Sequence, residues 1–187
     1  MTRLTRLCRT VGVGLAVVTA TLSMTQMANA APKPPPAAPA PPAGNEPFLV
    51  GHAKGVQTYA CTNGQLATTG SVPTAELRTD NKQVIQHFVG PTWKNEADGS
   101  AVSKSGVVKS AASPDPANDI PWLLVPVGPA PGATNDPGDL LTGTTFIQRI
   151  NTKGGTQPPN AECKAQTAGK VKEVPYKADY YFWKKTV

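Results

Sequence analysis

Hydrophobic positions along the chain fall in short pieces, and several of these alternate with polar residues. Gly55-Val56-Gln57-Thr58-Tyr59-Ala60-Cys61 alternates throughout and predicts a strand, as does Gln83-Val84-Ile85-Gln86-His87-Phe88-Val89. Ala101 to Lys109 predicts a hairpin turning near Lys104-Ser105-Gly106, where glycine would supply a positive φ. Ile120 to Val127 is an apolar run whose prolines, Pro121 and Pro126, confine it to a sheet edge or a bulge, because proline donates no ladder hydrogen bond. Thr144 to Ile150 and Asp179 to Trp183 complete the strands, and only Thr74 to Asn81 suits a short helix. Short strands at irregular spacing, with turn residues between them and no strand–helix alternation, predict an all-β fold. The expected architecture is an antiparallel sandwich or barrel-like single domain with long Pro/Gly loops.

The first thirty residues follow a different pattern. Arg3, Arg6 and Arg9 precede an apolar run from Val11 to Met24, and Ala28-Asn29-Ala30 offers a small-x-small cleavage site. This is the pattern of a secretory signal peptide cleaved after Ala30. The run is too short to span a bilayer, which takes about 20 residues, so no transmembrane anchor is expected after cleavage. Residues 31–47 hold eight prolines in seventeen residues and predict an extended, disordered linker or tail. The domain is then 48–187, which contains every aromatic residue. Losing three arginines takes the formal charge from +6 to +3, and Lys184-Lys185 is the densest basic spot left. Without a clustered basic patch, no nucleic-acid partner is expected.

Of the three cysteines, Cys8 leaves with the signal peptide, and Cys61 and Cys163 remain to form one structural disulfide in an oxidising compartment. Two histidines without finger-like spacing to them predict no metal site. The mature chain has neither a Gly-x-Gly-x-x-Gly fingerprint nor a phosphate loop, so no cofactor and no nucleotide are expected. His87, Asp98 and Ser100 supply the residue types of a nucleophilic triad, although no Gly-x-Ser-x-Gly elbow presents the serine. The aspartates Asp115, Asp119, Asp136 and Asp139 sit in Pro/Gly loops, where turn capping is their ordinary use. Alternation places Tyr180 and Phe182 on one face of the last strand, and Tyr181 and Trp183 on the other.

Six segments occur in a characteristic order: Gly55-Val56-Gln57-x-Tyr59-x-Cys61, His87-Phe88-x-Gly90-Pro91-Thr92-Trp93, Asp98-Gly99-Ser100-x-Val102, Ile120-Pro121-Trp122-Leu123-Leu124, Phe146 through Gly155, and Val174 through Phe182. In these the chain resembles the secreted proteins of the domain-of-unknown-function family DUF3455, over essentially all of 48–187. The resemblance implies no established activity. Some members carry a malate dehydrogenase label, which the missing nucleotide fingerprint and the export signal argue against for this chain. From the residues themselves, the expected function is non-catalytic binding of a cell-wall or other extracellular glycan, or of another surface ligand. Trp93 and Trp122 would stack on the ligand, and Arg149 with Asn151 would supply donors ahead of the close-approach pair Gly154-Gly155. A secreted hydrolase using His87, Asp98 and Ser100, or a structural protein of the cell envelope, are the alternatives.

Overall fold

The computed structural model describes residues 39–62, 64–66, 71–159, 163 and 171–186. The expected signal peptide, 1–30, and residues 31–38 of the expected linker lie outside them. The described residues form strands and no helix: β1 (Asn45–Thr62), β2 (Gln65–Leu66), β3 (Val72–Thr79), β4 (Val84–Phe88), β5 (Thr92–Asn95), β6 (Ala101–Lys104), β7 (Lys109–Ala111), β8 (Trp122–Pro129), β9 (Thr144–Gly154) and β10 (Val171–Lys185). Hydrogen bonding runs β10-β9-β8-β6-β5-β4-β3-β1, and β1 pairs back onto β10, every pair antiparallel. Eight strands therefore close a barrel. β2 prolongs the end of β1, and β7 takes part of the edge of β8.

Closure removes sheet edges and sorts every strand by parity. Cross-strand partners share a face, so the registers Gly51↔Tyr180, Ala53↔Ala178 and Gly55↔Tyr176 put these residues inside. The registers Ala53↔Leu77, Leu77↔Ile85 and Trp93↔Val102 continue that inner face around the wall. The core so formed includes Leu77, Ile85, Trp93, Val102, Val125, Ile147 and Phe182. Tyr180 and Phe182 face inward and Trp183 outward, as alternation requires. Outside, Gln148 donates to the Pro39 carbonyl at 2.8 Å, so the chain ahead of β1 lies against the outer face of β9.

Three local expectations are corrected. Thr74 to Asn81 is strand through Thr79 and not helix: Ala75, Leu77 and Thr79 point inward between β1 and β4, while Glu76 and Arg78 alternate outward. Tertiary pairing on both sides outweighs the weak helical preference. β6 and β7 do not form a hairpin but follow one another along β8, pairing with Val127–Pro129 and Trp122–Leu124 respectively. Gly106 lies close to Pro126, where a Cβ would come within 3.2 Å of the Pro126 Cβ, a tight contact. Finally, β8 is neither an edge nor excluded by its prolines. Pro126 falls in the gap where β7 hands over to β6, so its missing N–H costs no ladder bond on that side.

The two ends of the barrel differ. At the end reached by the β5–β6 and β8–β9 connections, Leu141 is fully buried and plugs the interior. At the other end the interior is hollow.

Candidate functional site

The hollow end is a cavity of about 230 Å³, walled by Gln57 and Tyr59 of β1, Pro73 before the middle of β3, His87, Trp93, Leu123, Val125, Arg149 and Tyr180. Ser71, Pro91, Ile120 and Pro121 form its rim. Each wall residue is there by parity. Gln57 and Tyr59 continue the inward series of Gly51, Ala53 and Gly55, and Arg149 lies between Leu123 on β8 and Tyr180 on β10.

The rim is fixed by the Asp119 carboxylate, which accepts from the Gly154 N–H and from Lys153 Nζ, both at 2.8 Å. Thr152 Oγ1 donates to the Ile120 carbonyl at 2.6 Å, and Tyr59 OH donates to the Gly155 carbonyl, also at 2.6 Å. Gly154 and Gly155 have φ of 75° and 79°. A Cβ on Gly155 would come within 2.9 Å of the Tyr176 Cβ, so both the close approach and the left-handed backbone call for glycine.

Inside, the His87 ring lies flat on Trp93, with centroids 4.3 Å apart and planes at 4°, and Tyr180 meets it edge-on at 5.4 Å. His87 Nδ1 is 3.0 Å from the Thr92 carbonyl, which can only accept, so Nδ1 carries the proton. Burial drives the His87 pKa down to about 4, against the pull of the Thr92 carbonyl, and the Arg149 charge adds to the lowering. The Tyr176 and Tyr180 hydroxyls meet at 3.0 Å, and burial pushes the Tyr176 phenol well above its usual range.

Arg149 is only 8% exposed, yet no carboxylate meets it among the described residues. One Nη donates to the Pro121 carbonyl at 2.8 Å, and Nε has no partner. Gln57 Nε2 and Trp93 Nε1 are likewise buried without partners. All three are donors.

The residues singled out from the sequence divide between this cavity and other places. Trp93 and Arg149 line it. Trp122, out of phase with Leu123, is on the outer side of the wall, so the two tryptophans share no ledge. Asn151 is exposed at a β-bulge with φ of 50° and donates to Asp179 Oδ2 at 2.8 Å, beside His52, so it does not join Arg149. Ser100 and Asp98 do meet: Ser100 Oγ donates to Asp98 Oδ1 at 2.7 Å. They meet at the plugged end, where Asp98 Oδ2 accepts from the Leu140 N–H and Ser100 Oγ from the Leu141 N–H, stapling two loops. His87 is at the hollow end on Thr92, so the three do not assemble. Gln57, Tyr59 and Tyr180 carry the site with Arg149. The signal for Gln57 was its phase, a polar residue in step with the inward Tyr59 and Cys61.

These shifted groups predict an acid profile. His87 titrates lower in the folded than in the unfolded chain, so the stability it confers is complete above about pH 6.5 and drains as the pH falls to about 4, by roughly 3 kcal/mol. Burial raises the Asp98 pKa, but hydrogen bonds from Leu140, Ser100 and Asn95 outweigh it and bring the pKa to about 2. Its contribution is lost below about pH 4 and is smaller, because the group is exposed to solvent. Urea midpoints of the wild type and His87→Phe across this range check the assignment. A wild-type midpoint that stays flat between about pH 7 and 4, or a variant that falls as steeply, contradicts it.

A closed eight-stranded antiparallel barrel, plugged at one end and hollow around a buried cation at the other, is the class this fold and site define. The chain belongs to the family of proteins of unknown function DUF3455, whose model matches residues 72–184. The match runs from β3 into β10 and takes in His87, Trp93, Arg149 and Tyr180. No curated protein and no solved structure matches the chain. The disulfide between Cys61 and Cys163 is compatible with an extracellular location.

Proposed function

We propose that this is a secreted, non-catalytic binding protein that takes a small organic anion into the hollow end of its barrel. One observation carries the proposal: Arg149 is buried without a counter-ion. An unpaired buried charge is costly, and a ligand carboxylate is the group that relieves it. The other unpartnered polar atoms of the wall, Gln57 Nε2 and Trp93 Nε1, also ask for an acceptor. Pro73, Pro91, Ile120, Leu123 and Val125 ask for an apolar body beside it. An eight-stranded barrel has room for one small ligand and no more. A glycan laid across Trp93 and Trp122 is not favoured, since the wall separates the two rings.

Calorimetric titration with acetate, benzoate and mandelate, each beside its own amide, tests this. The amide keeps the shape and loses the charge. Binding of at least one acid, about tenfold or more tighter than its amide, is the expected result. No acid binding, or amides binding equally well, would overturn the proposal.

A further inference from the structure

Resting on that anion-binding site, we infer that the natural ligand is a hydroxy acid, carrying a hydroxyl group that donates to Nε2 of His87. The argument starts from the ring's one proton. Nδ1 spends it on the Thr92 carbonyl at 3.0 Å, so in the neutral ring Nε2 is a bare lone pair. The stack on Trp93 and the edge contact with Tyr180 lock the ring plane, so Nε2 cannot turn to find another partner. His87 is 2% exposed, and among the described residues its ring makes its hydrogen bond through Nδ1.

The cavity therefore offers opposite polarities close together. Arg149 Nε, Gln57 Nε2 and Trp93 Nε1 are donors, and His87 Nε2 is an acceptor. Tyr180 touches the His87 ring and pairs across the strands with Arg149, so the acceptor and the cation belong to one small space. A plain carboxylate satisfies the first set and leaves the lone pair unused. A ligand with a hydroxyl near its carboxylate satisfies both. The recognition requires no bond to be made or broken.

Matched acids that differ by one hydroxyl give the test: mandelate against phenylacetate, and lactate against propionate. In the wild type at neutral pH, at least one hydroxylated member should bind about tenfold tighter than its parent. His87→Phe keeps a flat ring for Trp93 to stack on and removes the acceptor. It should lose the preference, binding each hydroxylated acid and its parent within about twofold of one another. A measurement free of any variant is the ¹⁵N resonance of His87 Nε2, which should move on adding the preferred hydroxy acid and stay in place with its parent. If no acid binds at all, the anion site itself falls. If the parents bind but no hydroxyl improves binding, or the preference survives in His87→Phe, or the Nε2 resonance does not move, the hydroxy-acid assignment falls and the anion site stands.

Discussion

Replacing Arg149 with methionine is expected to raise the stability of the unliganded protein and to weaken its binding of organic anions about 100-fold. Arg149 holds a positive charge at 8% exposure, and its protein contacts are a carbonyl and apolar wall. That arrangement sets a desolvation penalty against one hydrogen bond, with no carboxylate to offset it. Methionine fills much of the volume of the arginine stem and packs against Leu123, Val125 and Tyr180. Exchanging a buried charge for a packed apolar side chain is worth about 1–3 kcal/mol in such settings. For a domain of this size that is a rise in Tm of several degrees. Anion affinity should fall about 100-fold, because the ligand's charge would then be buried unpaired. The two effects have opposite signs, which is the mark of a residue kept for function. Thermal melts and carboxylate titrations of the same sample decide it. A variant that is less stable and still binds would show that Arg149 is a structural residue.

Parity explains how much of this was legible beforehand. Strands read from alternation appear where expected because β4 and β10 alternate buried positions with more exposed ones, and a period of two records that directly. The grouping of Tyr180 with Phe182 on one face was visible for the same reason, and Gly154-Gly155 was visible as a close-approach pair because glycine carries no Cβ. Two things were not. The helix read into Thr74 to Asn81 came from local preference, whereas Leu77 is fixed by Ala53 and Ile85 on strands that lie far away in sequence. Whether the inner face holds Trp93 or exposes it depends on closure, and closure depends on one long-range pairing, β1 with β10. A sandwich with the same alternation would have packed that inner face against a second sheet and left no cavity. Closing the sheet turns the same residues into the lining of a cavity, and the candidate ligand shrinks from a polymer to a small molecule. Asp98 and Ser100 show the limit from the other direction. Residue types suited to a triad are equally suited to stapling loops, and only their distance from His87 separates the two uses.

Removing the disulfide should have the largest effect on stability of any change away from the cavity. Cys61 lies one residue before the end of β1 and Cys163 lies 102 residues on, so the bond encloses every strand from β2 to β9. In the unfolded chain, closing a loop of about this length removes conformational entropy worth ~4–5 kcal/mol, and measured losses run from about 2 to 5. The double variant Cys61→Ser/Cys163→Ser is therefore expected to melt roughly 10 °C lower than the oxidised wild type. In the folded state both sulfurs are buried in a small cluster with Tyr59 and Leu66, outside the main core, so the barrel itself should persist. That separation allows the cause to be read as well as the size. If the bond works through the unfolded ensemble, its loss expands that ensemble, and the urea m-value should rise while the midpoint falls. If it works by holding the rim, the m-value should not change. Anion affinity should then drop, because Tyr59 is two residues from Cys61 and anchors the Gly155 carbonyl at the mouth. A melt within about 1 °C of the wild type would contradict both. The loop length favours the first: β1 is already paired along its length with β10 and β3, so the native barrel has little need of the bond to keep its shape.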